Sequence, residues 1–588
     1  MRYLLAVSVS IGLWSLGASA AEMKSSSFRS VSAEQAEREV GALAHTDTQA
    51  AMWVWTDKYI YQPGEQLTVR WTVKPNNDLF PYTIIAYRQN NQTGAKMYLP
   101  GNGPEVTDIF GNTLQQGFLI TRVPEASKQI LFSNIAAPNE PGMHTVVVQF
   151  RDYTGTRILK SAYFKFGVVT AIENLPNNIN ENRTLTNDKA YRIQGIVSVR
   201  NKATLTIEPG TFLIGMPGSQ PPSVLLITTE GKIHAKGTRS RPIIMTSSQP
   251  FGQRQRGDWG GLILLGDAPI NDPGGELSIE GLPELPETRY GGDDPSHDCG
   301  VLEYVRVEFA GALLRPNEET NSFTWGGCGK KTKSQYLQAH YGLDDSFEWF
   351  GGNNDAKYLV GTYGADDYVD VQIGYTGRVQ HVFVMANDDL SNRGIEADNY
   401  ERDFAARPLG KLQIWNATFI GGGNRGFDET DASCLFFRRG TGGITNNIIC
   451  YNWVTRGFGG ANFDSILPNI QSGDFTANGI LMWDNGKESN RPNTLEGQVA
   501  DAFLPFARGD QGQGRNFVVA NPMLRRPLER SDPDPRPATG SPVFRANWVQ
   551  PPDDGFFDQW ATYIGAFGEV NWTEEWTMLI QEQDLAAQ

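Results

Sequence analysis

The chain has 588 residues, of which 20% are charged and 39% hydrophobic, with a formal net charge of −15. That length exceeds one ordinary globular core, and the composition excludes a disordered tail or a membrane bundle. The negative balance excludes a nucleic-acid partner, which would need clustered Lys and Arg. It suits a soluble surface protein or one that collects divalent cations.

Arg2, the apolar stretch Leu4 to Leu16 and the small-residue run Ala18-Ser19-Ala20 predict a signal peptide over 1–20, cleaved after Ala20. The protein is then exported, to the extracellular space, the cell surface or the periplasm. The apolar stretch is too short to span a bilayer, and no other segment is long and apolar enough, so no transmembrane segment remains after signal removal. Residues 21–48 are rich in Ser, Ala and Glu and read as a leader or linker. Residues 49–168 read as a β-sandwich. Trp53-Val54-Trp55, Leu67 to Val73 and His144 to Phe150 alternate or run apolar as strands do. The turn Tyr61-Gln62-Pro63-Gly64-Glu65 resembles the opening of Ig-like and macroglobulin-type sandwich domains.

From about residue 185 the pattern repeats. Leu205-Thr206-Ile207-Glu208-Pro209-Gly210-Thr211 is followed by Val224 to Lys232, with Gly210 and Gly231 marking successive turns, and then by Arg241 to Thr246. A short apolar strand, a glycine turn and another strand at this period predict a solenoid coil, and no 3.6-residue period supports a helical one. The predicted fold is all-β, a right-handed parallel β-helix over 185–545. Gly257-Asp258-Trp259-Gly260-Gly261-Leu262-Ile263, Asp344 to Gly352 and the ending Tyr563-Ile564-Gly565-Ala566-Phe567-Gly568 with Asn571-Trp572-Thr573 resemble a family of exported bacterial parallel β-helix proteins of unsettled activity. The resemblance implies fold and export, not chemistry. Residues 546–588, rich in Trp and Phe, are expected to cap the last coil, whose open edge would otherwise invite aggregation.

Cys299, Cys328, Cys434 and Cys450 are free to form disulfides in an oxidising compartment. The nearest-neighbour pairs are Cys299–Cys328 and Cys434–Cys450, but four cysteines permit three connectivities. None has CxxC spacing, and the six histidines are scattered singly.

The feature with chemical content is a repeated acid pair, Asp344-Asp345, Asp366-Asp367 and Asp388-Asp389, at intervals of 22 residues. A further acid follows each pair: Glu348, Asp370, and Glu396 with Asp398. One coil per interval would stack the pairs on one edge, about 4.8 Å apart. Carboxylates at that distance repel by about 3–4 kcal/mol at an effective dielectric near 20. A cation between coils would reverse the sign, and Ca²⁺ prefers this oxygen chemistry. Asp344, Asp345, Asp366, Asp367, Asp370, Asp388 and Asp389 are therefore the candidate Ca²⁺ ligands. Asp is also common at turns because its side chain bonds the nearby backbone, so a ladder of turn aspartates without metal stands beside this reading.

Glu348, Trp349, Tyr368, Arg378 and Arg393 lie near the ladder and are candidate contacts to a polysaccharide or cell-surface glycan. Trp349, Phe350, Tyr363, Tyr368 and Tyr375 read more readily as stacked core aromatics than as glycan contacts. The expected role is binding, adhesion or scaffolding. The alternative is a polysaccharide lyase or glycoside hydrolase at the same edge. Inverting hydrolysis needs two carboxylates about 6.5–9.5 Å apart, and Asp366, Asp367, Asp388 and Asp389 could supply them. The His-Gly and Arg-x-Lys partners of polygalacturonase-like enzymes are absent from the following coils. A Ca²⁺-dependent lyase needs a base, for which Lys357, Arg378, Arg393 and Arg425 are the candidates.

Overall fold

The computed structural model describes residues 51–580, apart from segments 75–81, 99–104, 108–112, 117, 121–127, 152–157, 316–317, 424–431, 490, 511–513 and 531. The signal peptide, the leader and Arg425 lie outside the described residues.

From Ala171 the chain winds into parallel coils, earlier than the expected start at 185. Each coil contributes strands to three faces. Face A stacks ten strands, from Asn178–Ile179 through Phe323–Gly326, Phe347–Phe350, Asp370–Gln372 and Ile395–Ala397 to Arg456–Gly460. Faces B and C begin as separate short strands, such as Thr204–Ile207 and Phe212–Gly215. From Gly300–Glu308 onward one longer strand serves both. That strand bends at one residue with positive φ in every coil. The residues are Tyr304, Tyr336, Tyr358, His381, Asn416, Asn447 and Gly479, with φ between 49° and 67°. Side chains in this left-handed region are uncommon. Here each bends the strand at the same register, so the bends form a column.

Strand alternation decides what faces inward. On face A, Phe347 and Trp349 point into the coil, while Glu348 and Phe350 point out. Equal register then stacks like on like. Trp325 and Trp349 are parallel at 4.7 Å, and Phe323 and Phe347 at 5.4 Å. Both disulfides join nearest neighbours, Cys299–Cys328 and Cys434–Cys450, inside this core.

The described residues of 51–168 form a three-stranded antiparallel sheet, a six-stranded sheet that is antiparallel except where Ile60–Tyr61 joins Gly167–Val168, and a separate strand pair, with Trp55, Val69, Val146 and Phe166 in the core. This core continues onto the outer side of face C through Ala190, Phe212 and Ile244. The C-terminal end of the coil interior is covered by the helix Phe463–Ser472 and by Phe503 and Phe506. Residues 546–580 therefore do not serve as the end cap expected from their aromatic content. They run back along the outer side of the long strands: Asn447 binds Val549, Asn416 binds Tyr563, and Gln338 binds Met578. Outward aromatics on several coils, among them Tyr304, Tyr336 and Phe383, gave this strap more apolar surface to cover than one coil end offers.

His340 is buried between faces C and A, with Nδ1 2.8 Å from Thr362 Oγ1 and rings of Phe309 and Tyr363 edge-on. Burial pushes it down to about 4, with Glu308 opposing and Arg306, Arg256 and Arg254 reinforcing the drop. The unfolded chain, with a His pKa near 6.5, binds the proton first. Stability is therefore full above about 6.5 and falls as the pH drops toward 4, by about 3 kcal/mol for this group. Denaturant unfolding of wild type and His340→Gln at pH 7 and pH 4.5 checks this. The deficit of the variant should shrink at the lower pH; an unchanged deficit contradicts it.

Candidate metal centre

The outward positions of face A carry the acids. Register pairs Glu348 with Asp370 and Asp370 with Glu396, so these three form one column over three coils. A second column lies in the turn just before each strand. Asn321 Oδ1 accepts from the Asp345 N–H, Asp345 Oδ1 from the Asp367 N–H, and Asp367 Oδ1 from the Arg393 N–H, at 3.2, 3.0 and 2.7 Å. Each acid thus caps the backbone of the next coil, which explains why Asp suits the position. Asp344 and Asp366 precede the members of this column, and Asp366 Oδ1 accepts from Asn392 Nδ2 at 2.9 Å. Loops inserted after the face A strands roof the far side, with Tyr290 and Tyr400 packed in one cluster with Phe350 and Ile373.

Three groups of carboxylate oxygens fall within 4.8 Å of one another: Asp344, Asp345 and Asp366; Asp345, Glu348 and Asp370; and Asp367, Asp370 and Glu396. Oxygens around one Ca²⁺ lie no more than about 4.6–5.2 Å apart, so the three carboxylates of each group are close enough to share such an ion. Asp370 belongs to two groups, and its Oδ1 is buried without a hydrogen-bond partner. Arg393 pairs with Asp367 and Glu396 and lies over the Phe436 ring. Arg438 pairs with Glu396 and Asp398, and Arg439 with Asp398. Among the described residues no Lys or Arg forms an ion pair with Asp344, Asp345, Glu348, Asp366 or Asp370. Glu348 instead accepts from Asn321 and Gln372. Burial first, and then the charges of neighbouring acids, push Asp344, Asp345, Glu348 and Asp370 well above the usual carboxylate range. Asp367 rises for the same reasons against the pull of Arg393. Burial and then Asp370 push Glu396 up to about 8, opposed by Arg393 and Arg438.

Several expected site residues lie elsewhere. Asp388 and Asp389 are not in the columns. Arg393, not Asp389, follows Asp367, because that coil advances 26 residues where the previous one advances 22. The extra residues carry the third doublet outward, where Arg256 grips Asp389 with both terminal nitrogens at 3.1 Å and Arg530 holds Asp388. Trp349 is fully buried in the core stack and cannot meet a glycan. Tyr368 is also fully buried, its ring packed beside Gly361 and Gly364. Arg378 sits on another face, paired with Asp355 and Asp554. Phe350, Tyr363 and Tyr375 are buried as well: Tyr375 shares the coil core with Trp349 and Tyr368, whereas Phe350 and Tyr363 pack in clusters outside it. Sequence spacing missed Asn321 and Gln372 as partners. Asn321 stands one coil before Asp345 and offers the same backbone acceptor without a charge, so the acid pattern does not include it.

The fold and this acidic face define the class: a parallel β-helix with stacked outward carboxylates. Residues 177–517 match the family model described as a pectate-lyase-like β-helix domain, and the chain belongs to that family. No curated protein matches. Among solved structures, it is similar to the catalytic domain of a GH87 α-1,3-glucanase in complex with tetrasaccharides. The identity is 8%, over 81% of this chain and 99% of that chain, with a TM-score of 0.16.

The cross-coil cap yields a direct test in metal-free buffer at pH 8. Asp345→Asn keeps the acceptor oxygen and removes a charge, so the protein should be at least as stable as wild type. Asp345→Ala leaves the Asp367 N–H without its acceptor and should cost about 1–3 kcal/mol. Denaturant titration measures both, and an Asn variant weaker than the Ala variant contradicts the ladder.

Proposed function

We propose that the protein is an exported, surface-exposed or secreted glycan-binding protein whose acidic face holds Ca²⁺. The observation that carries the cation is the packing of Asp345, Glu348 and Asp370 with no ion pair to a Lys or Arg among the described residues. Buried like charges at one-coil spacing cost stability unless they are protonated or bridged. Oxygen donors on rigid strands favour bridging by Ca²⁺. Glycan direction is supported by the pectate-lyase-like family of the β-helix. Export is supported by the two disulfides, which persist in oxidising compartments. No helix among the described residues is long and apolar enough to cross a membrane.

Binding is favoured over cleavage by access. Asp345, Glu348, Asp367 and Glu396 are all buried, so a glycosidic oxygen does not reach them, and the exposed Asp388 and Asp389 are each paired with an arginine away from the columns. The described candidate bases are engaged: Lys357 with Asp558, Arg378 with Asp355 and Asp554, and Arg393 with Asp367 and Glu396.

Calorimetry with millimolar Ca²⁺ tests the cation, and retention on uronate and neutral polysaccharides tests the glycan. Saturation at a hundred times Kd adds about 2.7 kcal/mol, so Ca²⁺ should raise the melting temperature and a chelator should reverse the gain. Asp370→Asn should remove most of it. Absence of heat and of a melting shift overturns the cation. Unsaturated or new reducing ends after incubation overturn the binder in favour of a lyase or hydrolase.

A further inference from the structure

A second surface lies on the corner between faces B and C, away from the acids. Tyr304, Tyr336, Tyr358 and His381 occupy consecutive positions in the column of bends. Their rings are nearly parallel, with centroids 4.3, 4.4 and 4.7 Å apart. Trp560, from the C-terminal strap, continues the stack. Its ring lies 5.4 Å from His381 at an interplanar angle of 17°. Trp572 and Trp576 brace the column edge-on.

Trp560 differs from the tryptophans of the core. It is 62% exposed, whereas Trp259, Trp325, Trp349, Trp453 and Trp576 are fully buried. One ring face rests on His381, and that degree of exposure leaves the other to solvent. The support is rigid. Asp558 accepts from Lys357 and Tyr358 at 2.8 and 2.7 Å, and its backbone N–H donates to Gln380 Oε1 at 2.7 Å. Holding an aromatic in place before contact lowers the ordering cost of binding. The cations of this turn are matched within the chain, Lys357 by Asp558 and Arg378 by Asp355 and Asp554. The platform therefore offers an apolar ring bordered by compensated charge, with Gln559 beside it. That chemistry suits the C–H face of an uncharged sugar ring and gives a uronate no free cation.

We propose that Trp560 is a stacking platform for a neutral pyranose unit of a polysaccharide, separate from the acidic face. The glycan-directed reading supplies the ligand class, and the cation reading plays no part. Affinity electrophoresis through gels containing soluble neutral glucans or xylan, with polygalacturonate as the charged arm, tests it, each run with and without chelator. Wild type should be retarded by a neutral polysaccharide with chelator present. Trp560→Ala should weaken that retardation about tenfold, as loss of one aromatic stacking contact predicts. Trp560→Phe should keep most of it, and the Ala variant should melt as wild type does because the ring is exposed. Equal retardation of wild type and the Ala variant overturns the platform. So does an absence of retardation by every neutral polymer, or retardation that the chelator abolishes. A missing Ca²⁺ response in calorimetry leaves this result standing, so the two readings fail independently.

Discussion

In a parallel coil each side chain meets its counterpart one turn away, at about 4.8 Å, and the chain cannot offset like from like without changing coil length. For apolar groups this is favourable: Trp325 on Trp349 and Tyr336 on Tyr358 gain dispersion and exclude water. For charges it is not. Glu348, Asp370 and Glu396 are held in register by the same backbone ladder that stacks the tryptophans beside them. The acidic face is thus a consequence of where acids stand in the repeat. Its charge must be met by protons, by Arg393 and Arg438, or by an added cation.

The coil was legible as short apolar strands each followed by a glycine turn, but its length was not: Leu205 pairs with Ile233 one coil on, so Gly210 and Gly231 stand at different corners. The first two acid doublets were legible because the 22 residues between them are one coil, which sets Asp367 directly after Asp345. The third was not. A turn can lengthen without disturbing the ladder, so the residues between Asp367 and Arg393 carry Asp388 and Asp389 away from the column without leaving any trace in the 22-residue count. Alternation within a strand already implied that Glu348 and Trp349 face opposite ways. Proximity in sequence suggested a shared site, and the pleat forbids it. Asn321 makes the same backbone cap as Asp345 but carries no charge, so the acidic pattern does not reveal it.

The strap formed by residues 546–580 was misread for a physical reason too. Aromatic content announces burial but not against which surface. The end of the coil was already closed by Phe503 and Phe506, while the outer side of the long strands offered Tyr304, Tyr336 and Phe383. By lying there the strap fixes Asp558 on Lys357 and Tyr358, and so sets Trp560 on the end of a column begun far earlier in the chain. The two surfaces owe their order to the same stacking rule, one through carboxylates and the other through rings.

The central claim, that register-stacked carboxylates on face A gather a divalent cation, is tested most directly by anomalous diffraction from crystals soaked in Ca²⁺ or Tb³⁺. The account predicts a peak bounded by oxygens of Asp370 with Asp345 and Glu348, or with Asp367 and Glu396. A well-ordered face A with no peak there at saturating ion, its carboxylates sharing protons instead, would contradict it.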